Sequence, residues 1–359
     1  MKKTLICLIV IICMISLVFV SCSKKEATTK PEEKKYTLRV MHAYPETSQH
    51  GRNMFKFKEL VEKETNGRIE VKIYPNGQLG AIDKEVGMVQ SGAVEAAYAI
   101  NGTLETLDPI EAIYTLPFFW KSRPGNSEQY IIATKYNSMI ENYLRENAKK
   151  YGIYRLASVN TQNGQFIVAN NVREVKRPED MKGLKLRHSG GMVATLQLES
   201  FGAIAITMSG GEVPVALSQK VIDGMQSAVL HYHDSRWHTK YITANYSKCY
   251  SLPLILNLKW FESLPKDLQD ILQNKVTPQL QDYANTETSN GELKALEIMQ
   301  KEPYNVKVTL LSDEEIDKYW VNYNNIREEG VKLYLSKTGA EGQKLIDEVN
   351  RIGAEVAKK

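Results

Sequence analysis

"RIEVKIYPNG", residues 68–77, alternates Ile69, Val71 and Ile73 with polar and charged side chains and then breaks at Pro75-Asn76-Gly77. A two-residue period closed by turn formers predicts a half-buried strand. Upstream, "YTLRVMHAY" (36–44) places Leu38, Val40 and His42 on one face of another strand that ends at a polar group. Between the two, "HGRNMFKFKELVEKETNG" (50–67) repeats Met54, Phe57, Leu60 and Val61 at helical spacing, with Asn66-Gly67 as its stop. Strand, helix, strand in that order predicts a parallel pair joined by a right-handed crossover.

The same alternation continues outward. A helix is expected from Ile82 to Ser91, and "AVEAAYAI" (93–100) reads as a strand ending at Asn101-Gly102. Residues 129–149 are helical in pattern, followed by strands at "YGIYRLASV" (151–159) and "QFIVAN" (165–170). In "GLKLRHSGG" (183–191) Leu184 and Leu186 alternate with Lys185, so Arg187 stands where a strand leaves the core, before a flexible Gly190-Gly191. A helix at 192–202, a strand at "AIAITM" (203–208) and a short helix interrupted early by Pro214 lead to a turn at Asp223-Gly224. From Pro265 to about Gln300 the pattern is helical, with Leu268, Ile271, Leu272, Val276 and Leu280 on one side and an irregularity expected at Pro278. Ser312 and Glu315 form a capping box for a helix carrying Ile316, Tyr319 and Trp320. The fold class is α/β.

At 359 residues the chain can build one large domain or two lobes around a cleft, and a net charge of +4 offers no stripe for nucleic acid. Residues 1–22 read as an export signal, with two lysines before an apolar run from Leu5 to Val20; an uncleaved anchor is the alternative. The Phe19-Val20-Ser21-Cys22 end resembles a bacterial lipobox, with Phe19 where Leu is usual, which would make Cys22 a lipidation site. Residues 23–35 are charged and nearly free of apolar groups, as in a disordered tether. Cys7 and Cys13 lie in the signal, so Cys249 is the remaining body cysteine: neither an intrachain disulfide nor a thiolate zinc site can form, and a buried thiol is expected.

"RIEVKIYPNGQLG", "LPFFW", "RPEDMKGLKLR", "SFGAIAITM", "VIDGMQSAV" and "LNLKWFESLPKDLQDIL" occur in an order and at spacings that resemble the substrate-binding proteins of tripartite ATP-independent periplasmic (TRAP) transporters, the DctP-like family, over Tyr36 to about Tyr334. The resemblance implies a two-lobed periplasmic-binding-protein fold with a cleft between lobes and a long helix spanning both. The first lobe would be 36–160 plus 252–285 and the second 161–251 plus 286–340, with 341–359 a C-terminal helix and crossings near Val159 and Leu252. It implies a protein that is not an enzyme and needs no cofactor or metal, whose partners are a small carboxylate, the membrane permease subunits and, through its lipid, the membrane. Closure about a hinge is the implied motion.

Arg187 falls at the family's carboxylate-pairing arginine, whose planar fork matches a carboxylate in two parallel hydrogen bonds. Two departures remove polar capacity: Phe166 stands three residues after Asn163 where many members carry a second arginine, and Met225, Gln226 and Ser227 follow Asp223-Gly224 without the common asparagine. A monocarboxylate with an apolar or aromatic body is therefore expected over a sugar acid or a dicarboxylate. The implied ligand-binding set is Arg187, His42, Asn101, Asn163, Phe166, Ser189, Gln226, Ser227 and His231. The cluster "HYHDSRWH" (231–238) fits no strong zinc signature, and its His231 or Tyr232 is the expected ligand contact. Two other functions stay open at this level: a ligand sensor for a membrane receptor, and a lipoprotein hydrolase with His42 or His231 as base, although no Gly-x-Ser-x-Gly elbow, zincin motif or phosphate loop is present.

Overall fold

The computed structural model describes residues 34–120, 127–162 and 166–358. The signal with Cys22, nearly all of the tether, and Asn163 lie outside the described residues. The strands are β1 (Tyr36–Met41), β2 (Ile69–Tyr74), β3 (Ala96–Tyr98), β4 (Ile153–Gln162), β5 (Phe166–Asn170), β6 (Lys185–His188), β7 (Ile204–Thr207), β8 (Gly224–Ala228), β9 (Tyr241–Ala244), β10 (Tyr250–Asn257) and β11 (Lys307–Leu310). They form two sheets, ordered β2-β1-β3-β10-β4 and β11-β9-β5-β8-β6-β7.

The opening unit is as its periodicity predicts. β1 and β2 pair in parallel from Tyr36 opposite Ile69 to Met41 opposite Tyr74, with the helix Gln49–Glu64 between them in the chain. Leu38, Val40, Phe57, Val61, Ile69 and Val71 are all within 1% of full burial in one core. A second core gathers Ile167, Leu186, Met225 and Ile242 from the other sheet. Each sheet buries its own apolar faces, which is why the chain makes two lobes. β4 and β10 pair directly at Val159 and Leu252, and continue to Gln162 and Tyr250 before the chain passes to the second sheet.

Residues 266–299 form a nearly continuous helix in three pieces: Lys266–Asp270, a π-helical stretch Ile271–Val276, and Thr277–Met299. Pro278 cannot donate a backbone hydrogen bond, a defect worth about 3 kcal/mol inside a regular helix. The wide turn immediately before it absorbs the mismatch, helped by the Thr277 hydroxyl donating to the Leu272 carbonyl at 2.9 Å. Leu268, Leu272, Val276, Leu280 and Ala284 belong to the first core, whereas Ala295, Leu296 and Met299 belong to the second. This single helix therefore spans both lobes.

Three local expectations are corrected. β3 stops at Tyr98, and Asn101 opens a helix, Asn101–Leu107, instead of ending a strand. Pro214 lies in the first turn of helix Val213–Ser218, where the missing N–H is not needed, so it starts the helix and does not interrupt it. Gly224 belongs to β8, not to a turn: an added Cβ would sit 2.0 Å from the Ala169 carbonyl oxygen, so only glycine lets β5 and β8 approach. At the C-terminus the helix Ile326–Val356 breaks at Gly339, where φ is 57°. Its Tyr334, Leu345 and Val349 pack with Ile113, Tyr114 and Tyr130 in a third cluster.

Candidate functional site

β6 lies between β7 and β8, and Arg187 sits opposite Ile206 on one side and Met225 on the other. Its neighbours Leu186 and His188 point to the other face; the His188 ring meets the Thr207 hydroxyl at 3.1 Å. Arg187 is only 3% exposed. Its Nε donates to the Met208 carbonyl at 2.9 Å, and its guanidinium carbon lies 5.7 Å from the centre of the Trp237 ring. Among the described residues the terminal nitrogens have no protein acceptor. Burial lowers the pKa to about 10, opposed by Tyr44, Tyr250 and Glu212, so the group stays charged at neutral pH.

Arg187 lines a cleft of about 550 Å³ between the lobes. Loops leaving β1 and β2 contribute Tyr44 and Asn76-Gly77, and the start of helix Gln49–Glu64 contributes His50. Thr161 and Tyr250 come from the two crossing strands, and Ser189, Gln226, Ser227, His231 and Trp237 from the second lobe. Loops at the carboxyl ends of parallel strands are where open α/β sheets hold ligands. Among the described residues, Arg187 is the only lysine or arginine in this lining, and no carboxylate residue is in it.

Of the residues singled out in the sequence, Arg187, Ser189, Gln226, Ser227 and His231 come together on the cleft. His42 does not line it: the ring is fully buried, its Nδ1 accepts from the Tyr44 N–H at 3.3 Å, and burial lowers its pKa to about 4. Asn101 is also fully buried, with its backbone close to the Tyr250 hydroxyl. Phe166 opens β5 opposite Ala228. Gly190-Gly191, read as flexible backbone, meets the first lobe: a Cβ on Gly102 would lie 3.0 Å from the Gly190 carbonyl carbon, and one on Gly191 would lie 2.7 Å from a Glu105 carboxylate oxygen.

The sequence reading passed over Tyr44, His50, Trp237 and Tyr250. Tyr44 and His50 stack at 4.0 Å with planes 13° apart, and His231 stands edge-on to them at 5.2 and 5.4 Å. His231 also meets Trp237 edge-on at 4.7 Å. Burial, reinforced by Arg187, lowers the His231 pKa to about 3, and burial with His231 nearby holds His50 well below its usual value. Both imidazoles are therefore neutral, and among the described residues of the lining Arg187 carries the charge. A signal existed for Tyr44, since the strand end at His42 was recognised, but the face that reaches the cleft is that of the following loop. His50 gave none, because position two of an amphipathic helix reads as surface.

The lobes also touch beside the cleft. The Asp234 carboxylate accepts the Gln49 backbone N–H at 2.7 Å, capping the first-lobe helix from the second lobe, and Gln49 Nε2 donates to Thr288 at 2.5 Å. His233 contacts Asp234 at 3.1 Å while His238 stacks on Tyr304 at 5.5 Å, so the histidine-rich stretch does not converge on a metal. Among the described residues no group of three metal-ligating side chains is found.

The family described as bacterial extracellular solute-binding protein, family 7 (DctP), matches residues 40–328. The chain is 26% identical to the C4-dicarboxylate-binding periplasmic protein DctP of Rhodobacter capsulatus over 73% of its own length and 77% of that protein. An uncharacterized protein of Haemophilus influenzae is 32% identical over 60% of this chain and 64% of the relative, so that alignment spans less than two thirds of the relative. Among solved structures, the sugar acid binding protein DctPAm of Advenella mimigardefordensis in complex with galactonate has a TM-score of 0.78 at 23% identity, covering 89% of this chain and 99% of that one. A TRAP periplasmic solute binding protein of Desulfovibrio salexigens with bound orotic acid has a TM-score of 0.79 at 23% identity, with coverage of 89% and 100%. The two lobes, the spanning helix and the match over residues 40–328 agree: the chain belongs to the DctP family of TRAP transporter solute-binding proteins.

Proposed function

We propose that this protein captures a small organic acid outside the cytoplasm and delivers it to a TRAP-type, ion-gradient-driven permease. The supporting observation is Arg187, a buried cation that lines the interlobe cleft and whose terminal nitrogens have no acceptor among the described residues. Leaving a guanidinium out of water without an anion costs several kcal/mol, and a ligand carboxylate offsets that cost in two parallel hydrogen bonds. The named dicarboxylate- and sugar-acid-binding relatives favour an acid as the ligand. Ser189, Gln226, Ser227 and His231 surround the carboxylate-bearing end, with His42 and Asn101 supporting the walls from beneath.

The bodies that close are 36–160 with 252–285 and 161–251 with 286–340, hinged where β4 and β10 leave the first sheet. Acyl chains on Cys22 hold the protein at the membrane through the tether of residues 23–35. Full-length protein purified in detergent should show a raised melting temperature with small carboxylates and none with neutral sugars or amino-acid amides, because ligand that binds only the folded state stabilises it by mass action. Stabilisation by neutral sugars alone would overturn the reading. Cys22→Ala should move the protein from the membrane to the soluble fraction; unchanged sedimentation would favour an uncleaved anchor.

A further inference from the structure

Four rings from the two lobes meet on the cleft: Tyr44 and His50 from the first, His231 and Trp237 from the second. We infer that this corner clamps the flat body of a singly charged ring acid, an aromatic or heteroaromatic monocarboxylate, with His50 and Trp237 as the specificity-determining residues. The inference rests on the reading that the cleft takes an organic acid, and adds what kind.

The corner is built for flat apolar surface. Tyr44 and His50 lie nearly parallel at 4.0 Å, His231 stands at 88° to Tyr44 and 80° to His50, and Trp237 at 76° to His231. A ring lying against it meets one face and one edge, the two geometries that aromatic pairs favour. Gly210 keeps the corner open on the second-lobe side, since a Cβ there would come within 3.3 Å of His231 and 3.4 Å of Trp237.

The polar lining is mostly committed to the protein and so is a poor match for a polyol. Thr161 donates to the Tyr250 carbonyl, Ser227 to the Ala228 carbonyl, Ser235 contacts His231 Nδ1, Ser189 holds the Tyr250 hydroxyl, and the Gln226 amide nitrogen donates to Gln197. Among the fully buried polar atoms of the lining side chains, Gln226 Oε1 and His50 Nδ1 have no partner among the described residues. Charge argues the same way. With Arg187 the only lysine or arginine among the described residues of the lining and both cleft imidazoles neutral, a second carboxylate there would be desolvated without one of these cations.

Calorimetric titration of the detergent-purified full chain with benzoate, 4-hydroxybenzoate and nicotinate, each against cyclohexanecarboxylate, terephthalate, succinate and gluconate, tests this. At least one ring monoacid should bind ten or more times tighter than cyclohexanecarboxylate, which has the same charge without the flat face, and than terephthalate, which adds the second charge. Trp237→Leu and His50→Ala should each collapse the benzoate-type preference toward one while retaining measurable carboxylate binding. Equal or tighter binding of the saturated acid, a diacid or gluconate would overturn the inference and leave the organic-acid reading standing. Binding of no carboxylate at all would overturn both.

Discussion

Arg155 and Arg187 are buried to nearly the same degree, 0% and 3% exposed, yet their surroundings differ in kind. Arg155 on β4 donates to Glu111 at 2.8 Å, to Glu141 at 3.4 Å and to the Ser158 hydroxyl at 2.6 Å. Burial alone would weaken it as a base, but the two carboxylates outweigh that and raise its pKa above the usual value. Arg187 has one acceptor among the described residues, the Met208 carbonyl, and burial lowers its pKa to about 10. The first network is complete and ties the turn at Pro109–Thr115 and the helix Met139–Ala148 to the sheet. The second is half of an ion pair, and on the proposed function a ligand carboxylate supplies the other half. Burial of a charge marks a site only when its pairing is unfinished.

The comparison breaks most readily at Arg155. Arg155→Ala should lower unfolding free energy by about 3–5 kcal/mol in denaturant melts, because Glu111 and Glu141 are left buried without a cation. A loss under about 1 kcal/mol would mean that the network carries little. Arg187→Ala should do the reverse: carboxylate affinity falls by at least ~30-fold in calorimetry, the loss expected for one half of a buried charged pair, while stability holds or rises. Destabilisation as large as that of the Arg155 variant would make Arg187 structural.

Acid titration sharpens the electrostatic half. His231 has a pKa of about 3 in the closed cleft, and should regain its ordinary value near 6.5 when the cleft opens. The open form then binds the extra proton, so closure is unimpaired above about 6.5 and weakens as pH falls toward 3. Affinity should be about tenfold lower at pH 5.5 than at 7.5, the limit for one histidine. A flat profile over that range would show that His231 is not desolvated on closure. The smallest effect belongs to the contact beside the cleft: Asp234→Asn keeps a cap on the Gln49 N–H but removes the charge, and should weaken binding a few-fold, by about 0.5–1 kcal/mol, mainly through faster release. An unchanged release rate would separate that contact from closure.

The lobes were legible because period-two and helical patterns are local, and each sheet buries what its own strands supply. Arg187 was legible for the same reason, standing one residue beyond an apolar alternation. The first-lobe wall was not. His42 and Asn101 were singled out as strand ends, yet the chain turns there so that Tyr44, two residues past His42, reaches the cleft and Asn101 starts a helix beneath it. The Tyr44, His50, His231 and Trp237 corner joins positions far apart in sequence, and no local pattern encodes a contact that exists only when two lobes meet. Pro214 and Gly224 misled for a related reason, since turn residues also serve helix starts and close strand approach.

The most direct test of the central claim, that a ligand carboxylate completes the Arg187 pair, is calorimetric titration of wild type and Arg187→Ala with carboxylic acids each matched to its uncharged amide. Wild type should prefer the acid by at least ~30-fold and the variant should show almost no preference, the signature of a lost charged partner. An acid preference that survives in Arg187→Ala would contradict the account and place the anion elsewhere in the protein.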